Sequence, residues 1–271
     1  MKIGVDYYPE KQDKQIWSHD AGLMAENGVK IVRIGGIVWS EYEHSDSEYS
    51  FGWLDELITV FADFGIETVL CIPVEKPPLW FFQEYPDTVR SDIDGNLRQF
   101  CVLDRCCVNA LKYREYAVRL TLNLVRRFRD NKNIVAWQIG NDIKAYPCGC
   151  NNCREMFRSW LLNKYDGFEN ISETFWQTIN ISEYSHISQV QPPSLYPEER
   201  RSPALSMEYS RFVSESANAF ASLIALSIKR ELPNACVTVS TALQGDTPNL
   251  YNLYDYMDFA SFDNLRLSIF I

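Results

Sequence analysis

Long apolar runs are absent from this chain. No stretch reaches the roughly 18 consecutive apolar residues that a membrane-spanning helix needs, so no membrane partner is expected. The first residues, Met1 to Tyr8, meet an acid at Asp6 and carry neither an apolar segment nor a small-residue cleavage site, so no secretion leader is expected. Positive charge is also in short supply: 26 Lys and Arg stand against 36 Asp and Glu, for a net charge of −10. With no basic stripe, nucleic acid is not an expected partner. Histidine is scarcer still. His19, His44 and His186 are scattered and read as surface or loop residues, which argues against an imidazole-based catalytic metal. No Gly-x-Gly-x-x-Gly follows the first strand-like run, so a dinucleotide-binding fold has no motif behind it.

What is present is core material. Of 271 residues, 46% are hydrophobic and 14% aromatic, enough for one large α/β domain or two smaller ones. An acidic chain rich in aromatics suits a neutral polar ligand such as a sugar, and equally suits an ordinary acidic protein of the cytoplasm. Eight cysteines here read as reduced thiols or metal ligands rather than a disulfide framework, which sets the expected location as cytoplasmic.

Short apolar runs alternate with longer helical patterns. Ile3–Val5, Val29–Ile34, Glu67–Ile72, Ile134–Gln138, Cys236–Ser240 and Phe259–Ser261 read as six strands, each buried on both faces. Helices are expected over Lys14–Asn27, Trp53–Phe64, Lys112–Arg129, Cys153–Lys164 and Ala204–Glu231, with Gly28 and Gly65 as stops. Lys76-Pro77-Pro78 interrupts the chain after the third strand, and Asp166–Pro203 is loop-rich. The repeating βα pattern implies a parallel sheet, either an open doubly wound one or part of a barrel. Asp6, Arg33, Asn141, Asp142, Asp263 and Asn264 fall at the C-terminal ends of strands, where barrel active sites are built. Strand ends are also where polar residues ordinarily begin.

Two motifs carry chemistry. Ala136-Trp137-Gln138-Ile139-Gly140-Asn141-Asp142 runs a buried strand into an amide–carboxylate pair. Such a pair can be a catalytic carboxyl with a neighbouring hydrogen-bonding amide, or a simple turn or helix cap. Cys148-Gly149-Cys150-Asn151-Asn152-Cys153 then gives Cys-x-Cys-x₂-Cys spacing, and Cys107 can supply a fourth ligand. Four thiolates make a closed tetrahedral zinc site of structural type; the alternative is four free thiols in a loop. Cys71 and Cys236 lie in apolar runs and are expected in the core, while Cys101 has no clear role.

These motifs and their order resemble the glycoside hydrolase family 42 β-galactosidases. Gly4-Val5-Asp6-Tyr7-Tyr8-Pro9-Glu10 resembles the family's opening strand and turn. Val32-Arg33-Ile34-Gly35 with Trp39-Ser40, Phe51-Gly52-Trp53-Leu54-Asp55, Pro77-Pro78-Leu79-Trp80, Tyr113-Arg114-Glu115-Tyr116 and Asp258-Phe259 to Asp263-Asn264 follow in the family's order. The resemblance implies a TIM (β/α)₈-type barrel of which about six βα units are present, over residues 1–264. It implies a retaining exo-glycosidase that hydrolyses terminal β-linked galactose in oligosaccharides. Such chemistry uses two carboxyl groups about 5–5.5 Å apart across the scissile bond. The resemblance puts the acid/base at Asp142 and sets Asn141 to bond the sugar 2-hydroxyl. Phe175-Trp176 matches an aromatic pair over the sugar, which makes Trp176 a substrate-binding residue. It implies zinc on Cys107, Cys148, Cys150 and Cys153. Cys106 falls where the family often has an aromatic and could compete as a ligand. A homo-oligomer, a trimer by analogy, is also implied.

The chain departs from the family at several positions. Asp142 stands where the family has Glu, which sets the carboxyl back by about 1 Å, a displacement that can cost about 10²-fold in rate. Gly140 replaces a usual Asp, and Leu103 replaces a substrate-contacting Arg. Arg105, next to it, is not expected to take over that role. The nucleophilic Glu of the family's seventh strand has no counterpart in Leu265–Ile271, an atypical apolar tail. A second reading follows from these departures: a catalytically inactive, zinc-stabilised relative or sugar-binding pseudoenzyme. In it Trp39, Trp80, Phe175 and Trp176 would form an aromatic platform for a sugar face.

Overall fold

The computed structural model describes residues 2–10, 12–36, 39–97, 106–171, 184–193, 203–242 and 247–263. In chain order these give β1 (Ile3–Asp6), α1 (Lys14–Glu26), β2 (Val29–Ile34), α2 (Trp39–Tyr42), the hairpin β3 (Glu43–Ser45) and β4 (Glu48–Tyr49), and α3 (Gly52–Asp63). β5 (Glu67–Ile72), α4 (Leu79–Glu84), α5 (Leu111–Phe128), β6 (Ile134–Ile139) and α6 (Asn151–Tyr165) follow. The remaining elements are α7 (Pro203–Glu231), β7 (Val237–Ala242), the short α8 (Leu250–Leu253) and β8 (Ser261–Asp263).

Six strands form one sheet in the order β1-β2-β5-β6-β7-β8, and every neighbouring pair is parallel. This order decides between the two architectures left open by the sequence. A doubly wound sheet reverses its strand order at a switch point. Here the spatial order follows the chain without reversal, as in a barrel. The fold is therefore a partial (β/α) barrel.

Helix faces explain the packing. α5 buries Tyr113, Tyr116, Ala117, Leu120, Thr121, Leu124, Val125 and Phe128, a spacing of three and four residues that forms one stripe. α3 does the same with Leu54, Leu57, Ile58 and Phe61. Each fully buried Leu, Ile or Phe contributes about 1.5–3 kcal/mol by leaving water. Thr121 fits the apolar stripe because its hydroxyl bonds the Ala117 carbonyl at 2.7 Å. α7 opens on Pro203, a residue whose fixed φ and missing N–H suit the first helical turn.

Two expectations need correction, and two elements are new. β1 is not buried on both faces: Ile3 is 55% exposed, because β1 has a sheet partner on one side only among the described residues. Cys236 lies just before β7 and is partly exposed, whereas Cys71 is fully buried in β5 as expected. The β3–β4 hairpin and α4 fall in stretches that the sequence pattern left unassigned. All three histidines are exposed, as expected. Of the loop-rich Asp166–Pro203 stretch, residues 172–183 and 194–202 lie outside the described residues, as do Phe175 and Trp176. Cys101, Leu103, Arg105, Asn264 and the tail 265–271 lie outside them as well.

Candidate active site and thiol cluster

The C-terminal ends of β1, β2 and β6 bring Asp6, Arg33, Asn141 and Asp142 to one end of the sheet. Asp6 and Arg33 pair in strand register, and the Arg33 guanidinium donates to both Asp6 oxygens at 2.5 and 2.6 Å. Its Nη2 also donates to the Tyr8 hydroxyl at 3.2 Å. Burial works against the Arg33 charge, and the contacts with Asp6 help to hold the guanidinium above its ordinary pKa. Asn141 Oδ1 reaches across toward Gly36, just beyond β2, with Tyr8 and Cys71 also close to that glycine. Asp263 belongs to β8, but its side chain lies outside what the structure describes.

β6 is built to deliver the Asn141–Asp142 pair. Trp137 and Ile139 are buried, and Gln138, 4% exposed, is satisfied by donating to the Gly140 carbonyl at 2.9 Å. Gly140 takes φ +59°, a left-handed conformation that glycine adopts without steric cost. Beyond this bend, the Asn141 and Asp142 N–H groups both donate to Glu75 Oε1, at 2.6 and 2.9 Å. Lys144 Nζ stands 2.8 Å from Asp142 Oδ2, with both side chains about a quarter exposed (27% and 23%). Partial burial lowers the Lys144 pKa, but hydrogen bonds to Asp142 and Tyr146 outweigh it and hold the ammonium above the ordinary lysine range. Arg90, itself buried, lies 4.2 Å from the centre of the Tyr146 ring.

Behind this turn the four expected thiols converge. Sγ of Cys107, Cys148, Cys150 and Cys153 all lie within 4.8 Å of one another. A tetrahedral zinc with Zn–S near 2.3 Å needs sulfurs roughly 3.8 Å apart, so the donor set fits a closed four-thiolate centre. Proton sharing already divides the group. Hydrogen bonding from Cys107 holds the Cys148 and Cys150 thiols below their ordinary range, and the same contacts push Cys107 up.

The knuckle itself is shaped by the chain before it. Gly149 N donates to the Asp92 carbonyl at 3.0 Å, and a Cβ at Gly149 would come 2.6 Å from that oxygen. Asn109 Nδ2 reaches Cys153 Sγ at 3.4 Å and Ser216 Oγ at 3.1 Å, and so joins the cluster to α7. Cys106 is bridged to Val89 in a short antiparallel contact and stays outside the four-sulfur group.

A cavity of about 40 Å³ lies between the turn and the cluster, lined in part by Glu75, Arg90, Tyr113, Lys144 and Tyr146. It has room for a few water molecules and none for a sugar ring.

One aromatic expectation fails. Trp39 is fully buried and donates to Glu43 Oε2 at 2.9 Å. Trp80 packs on Phe81 and Tyr116 and donates to the Glu43 carbonyl at 3.1 Å. Both indoles help to pack the β3–β4 hairpin, and Trp39, fully buried, has no face to offer a sugar. Sequence reasoning also missed Glu75, Lys144, Tyr146 and Arg90. The available signal was charge placed immediately after strands: Glu75 follows β5, and Lys144 follows the Asn–Asp pair by two residues.

A parallel barrel sheet with a carboxyl-bearing turn at the C-terminal strand ends is the build of a barrel glycosidase. The family model for glycoside hydrolase family 42 β-galactosidase matches residues 6–268, and the chain belongs to that family. It is 37% identical over 264 residues to a β-galactosidase of Clostridium cellulovorans, covering 97% of this chain and 40% of that protein. To a β-galactosidase of Thermus thermophilus it is 31% identical, covering 98% of this chain and 41% of the relative. Among solved structures, the β-galactosidase of Halorubrum lacusprofundi superimposes with a TM-score of 0.91 at 29% identity, over 97% of this chain and 40% of that one. The chain thus spans about two fifths of the length of the relatives it matches. A β-amylase catalytic domain from Paenibacillus polymyxa, at 12% identity and a TM-score of 0.73, shares the fold. No helix among the described residues is long and apolar enough to cross a membrane.

Proposed function

We propose that this chain is the acid/base-bearing part of a retaining β-galactosidase acting on terminal β-D-galactosides. The observation that carries this reading is the Asn141–Asp142 pair. It sits at the C-terminal end of the fourth strand of the barrel sheet, in a chain that matches β-galactosidases along nearly its whole length. Asp142 gives its proton to the leaving oxygen and later takes one from water, while Asn141 bonds the 2-hydroxyl of the galactose ring. Trp176 would cover the sugar, and no residue of this chain is assigned as the nucleophile.

Cys107, Cys148, Cys150 and Cys153 would hold one structural zinc. When bound, it fixes the loop after β6 and leaves no open coordination position for chemistry. A homo-oligomer and a cytoplasmic location accompany this reading.

A second reading, a sugar-binding relative without turnover, is favoured by the engagement of Asp142 with Lys144. Hydrolysis of an aryl β-galactoside by the wild-type chain, Asp142→Ala and Asp142→Glu separates the two. Activity that Asp142→Ala reduces and Asp142→Glu raises supports the enzyme. No activity in any of the three, with galactose binding retained, supports the second reading.

A further inference from the structure

The main chain around Gly140 is accounted for group by group. Gly140 N donates to the Ile72 carbonyl at 2.9 Å, and the Gly140 carbonyl accepts from Gln138 Nε2. The next two N–H groups, from Asn141 and Asp142, both go to Glu75 Oε1 at 2.6 and 2.9 Å. A single carboxylate oxygen therefore anchors the two consecutive residues assigned to the chemistry. Bonds of this kind, to a charged acceptor, are stronger than neutral ones. Glu75 also explains why residue 140 is glycine. A Cβ at that position would overlap Glu75 Oε1 and lie 2.6 Å from Cδ and 2.9 Å from Oε2. The Glu75 carboxyl occupies the volume that a side chain at 140 would claim.

We propose that Glu75 is the positioning residue of the Asn141–Asp142 pair: it clamps the main chain of both residues and so sets where the Asp142 carboxyl stands, without touching substrate. The importance of that placement rests on the acid/base reading of Asp142. Glu75 arrives from the loop after β5, and β5 pairs directly with β6 through Ile72 and Ile139. The clamp thus ties the ends of two adjacent strands. Lys144 Nζ pairs with Asp142 Oδ2 at 2.8 Å, so the same turn also carries a cation.

The test uses the full chain and the variants Glu75→Ala, Glu75→Gln, Gly140→Ala and Glu75→Ala/Gly140→Ala. Amide signals and hydrogen exchange of Asn141 and Asp142 are read by NMR on labelled protein, with the α5 amides as a control for folding. Glu75→Ala should move both amide protons upfield and speed their exchange by about tenfold or more, while Glu75→Gln keeps most of the protection. Adding Gly140→Ala to Glu75→Ala should cost less thermal stability than Gly140→Ala alone, because the volume is then free. Unchanged Asn141 and Asp142 amides in Glu75→Ala overturn the proposal.

On an aryl β-galactoside, Glu75→Ala should lose about 10²-fold in kcat with KM little altered, and Glu75→Gln should recover most of it. Wild-type turnover in Glu75→Ala also overturns the proposal. A wild-type chain that hydrolyses nothing defeats the glycosidase reading alone, since the amide measurement still decides the clamp.

Discussion

Lys144 Nζ contacts Asp142 Oδ2 at 2.8 Å, so the carboxyl expected to serve a glycosidic oxygen is already engaged on one side. The lysine remains charged well above neutral pH, because its pKa is raised and its pairing is lost only as pH climbs through that raised value. Mild alkali therefore does not free Asp142. Lys144→Met should. Alkyl leaving groups depend on proton donation far more than aryl ones do. The variant is expected to raise the ratio of kcat/KM for methyl over nitrophenyl β-galactoside by roughly 3–10-fold, within the range that acid catalysis contributes. An unchanged ratio would mean that the lysine does not compete with substrate for Asp142.

The thiol cluster makes a prediction that does not depend on turnover. Metal analysis of chain purified without chelator should give one zinc, and Cys150→Ser should lower both the zinc content and the unfolding temperature. Gly149→Ala should act in the same direction while keeping all four sulfurs, because its Cβ would press on the Asp92 and Ile93 carbonyls. Full zinc retention in Gly149→Ala would show that the knuckle can shift to accept a methyl group.

Glu43 is fully buried and held by three donors: Trp39 Nε1 at 2.9 Å, Ser47 N at 3.1 Å and Arg119 Nη2 at 2.5 Å. Arg119→Met removes its only cation among these and leaves the carboxylate in apolar packing. The expected loss is about 2–3 kcal/mol, discounted from a fully buried pair because Arg119 is partly exposed. For a domain of this size that lowers Tm by roughly 5–10 °C. Glu43→Gln should restore part of it in the double variant. Calorimetry showing simple additivity would argue against a direct pairing.

Glu10 is shifted the other way from a salt-bridged acid. Burial raises its pKa, a backbone hydrogen bond opposes the rise, and the Glu41 charge adds to it. The folded state thus prefers protonated Glu10. That stabilisation is present below the ordinary value of 4.5 and is lost as pH rises through the higher folded value. Glu10→Gln should therefore raise Tm at pH 7 and make little difference near pH 4. A Tm gain that is the same at both pH values would exclude titration of Glu10 as its source.

Much of the sheet is legible in the sequence, because β2, β5 and β6 are central strands whose apolar runs are mostly buried, with Val135 near the start of β6 the exposed exception. The choice of barrel over doubly wound sheet is not legible there. Both give the same βα rhythm, and only the spatial order separates them. Three of the four thiols, Cys148, Cys150 and Cys153, are readable from spacing because a tetrahedral donor set constrains them locally; Cys107 is preferred as the fourth only through the family resemblance. Glu75 is not readable. Its role depends on a main-chain bend 65 residues away, at Gly140, and its own neighbours Lys76-Pro77-Pro78 advertise only a break in the strand. Trp39 misleads for the opposite reason: an indole that donates to a buried glutamate looks, in sequence, like one offered to a sugar.

Cys107 and Cys153 sit 46 positions apart in the chain with their sulfurs 3.3 Å from each other. An ion shared between them would close a loop that contains α5 and β6. Restricting a loop of that length removes conformational freedom from the denatured chain worth about 4 kcal/mol, on the scale used for cross-links. The cluster would then act on the unfolded ensemble as well as on the native loop, so the chain's refolding yield should depend on the order in which metal and denaturant are withdrawn.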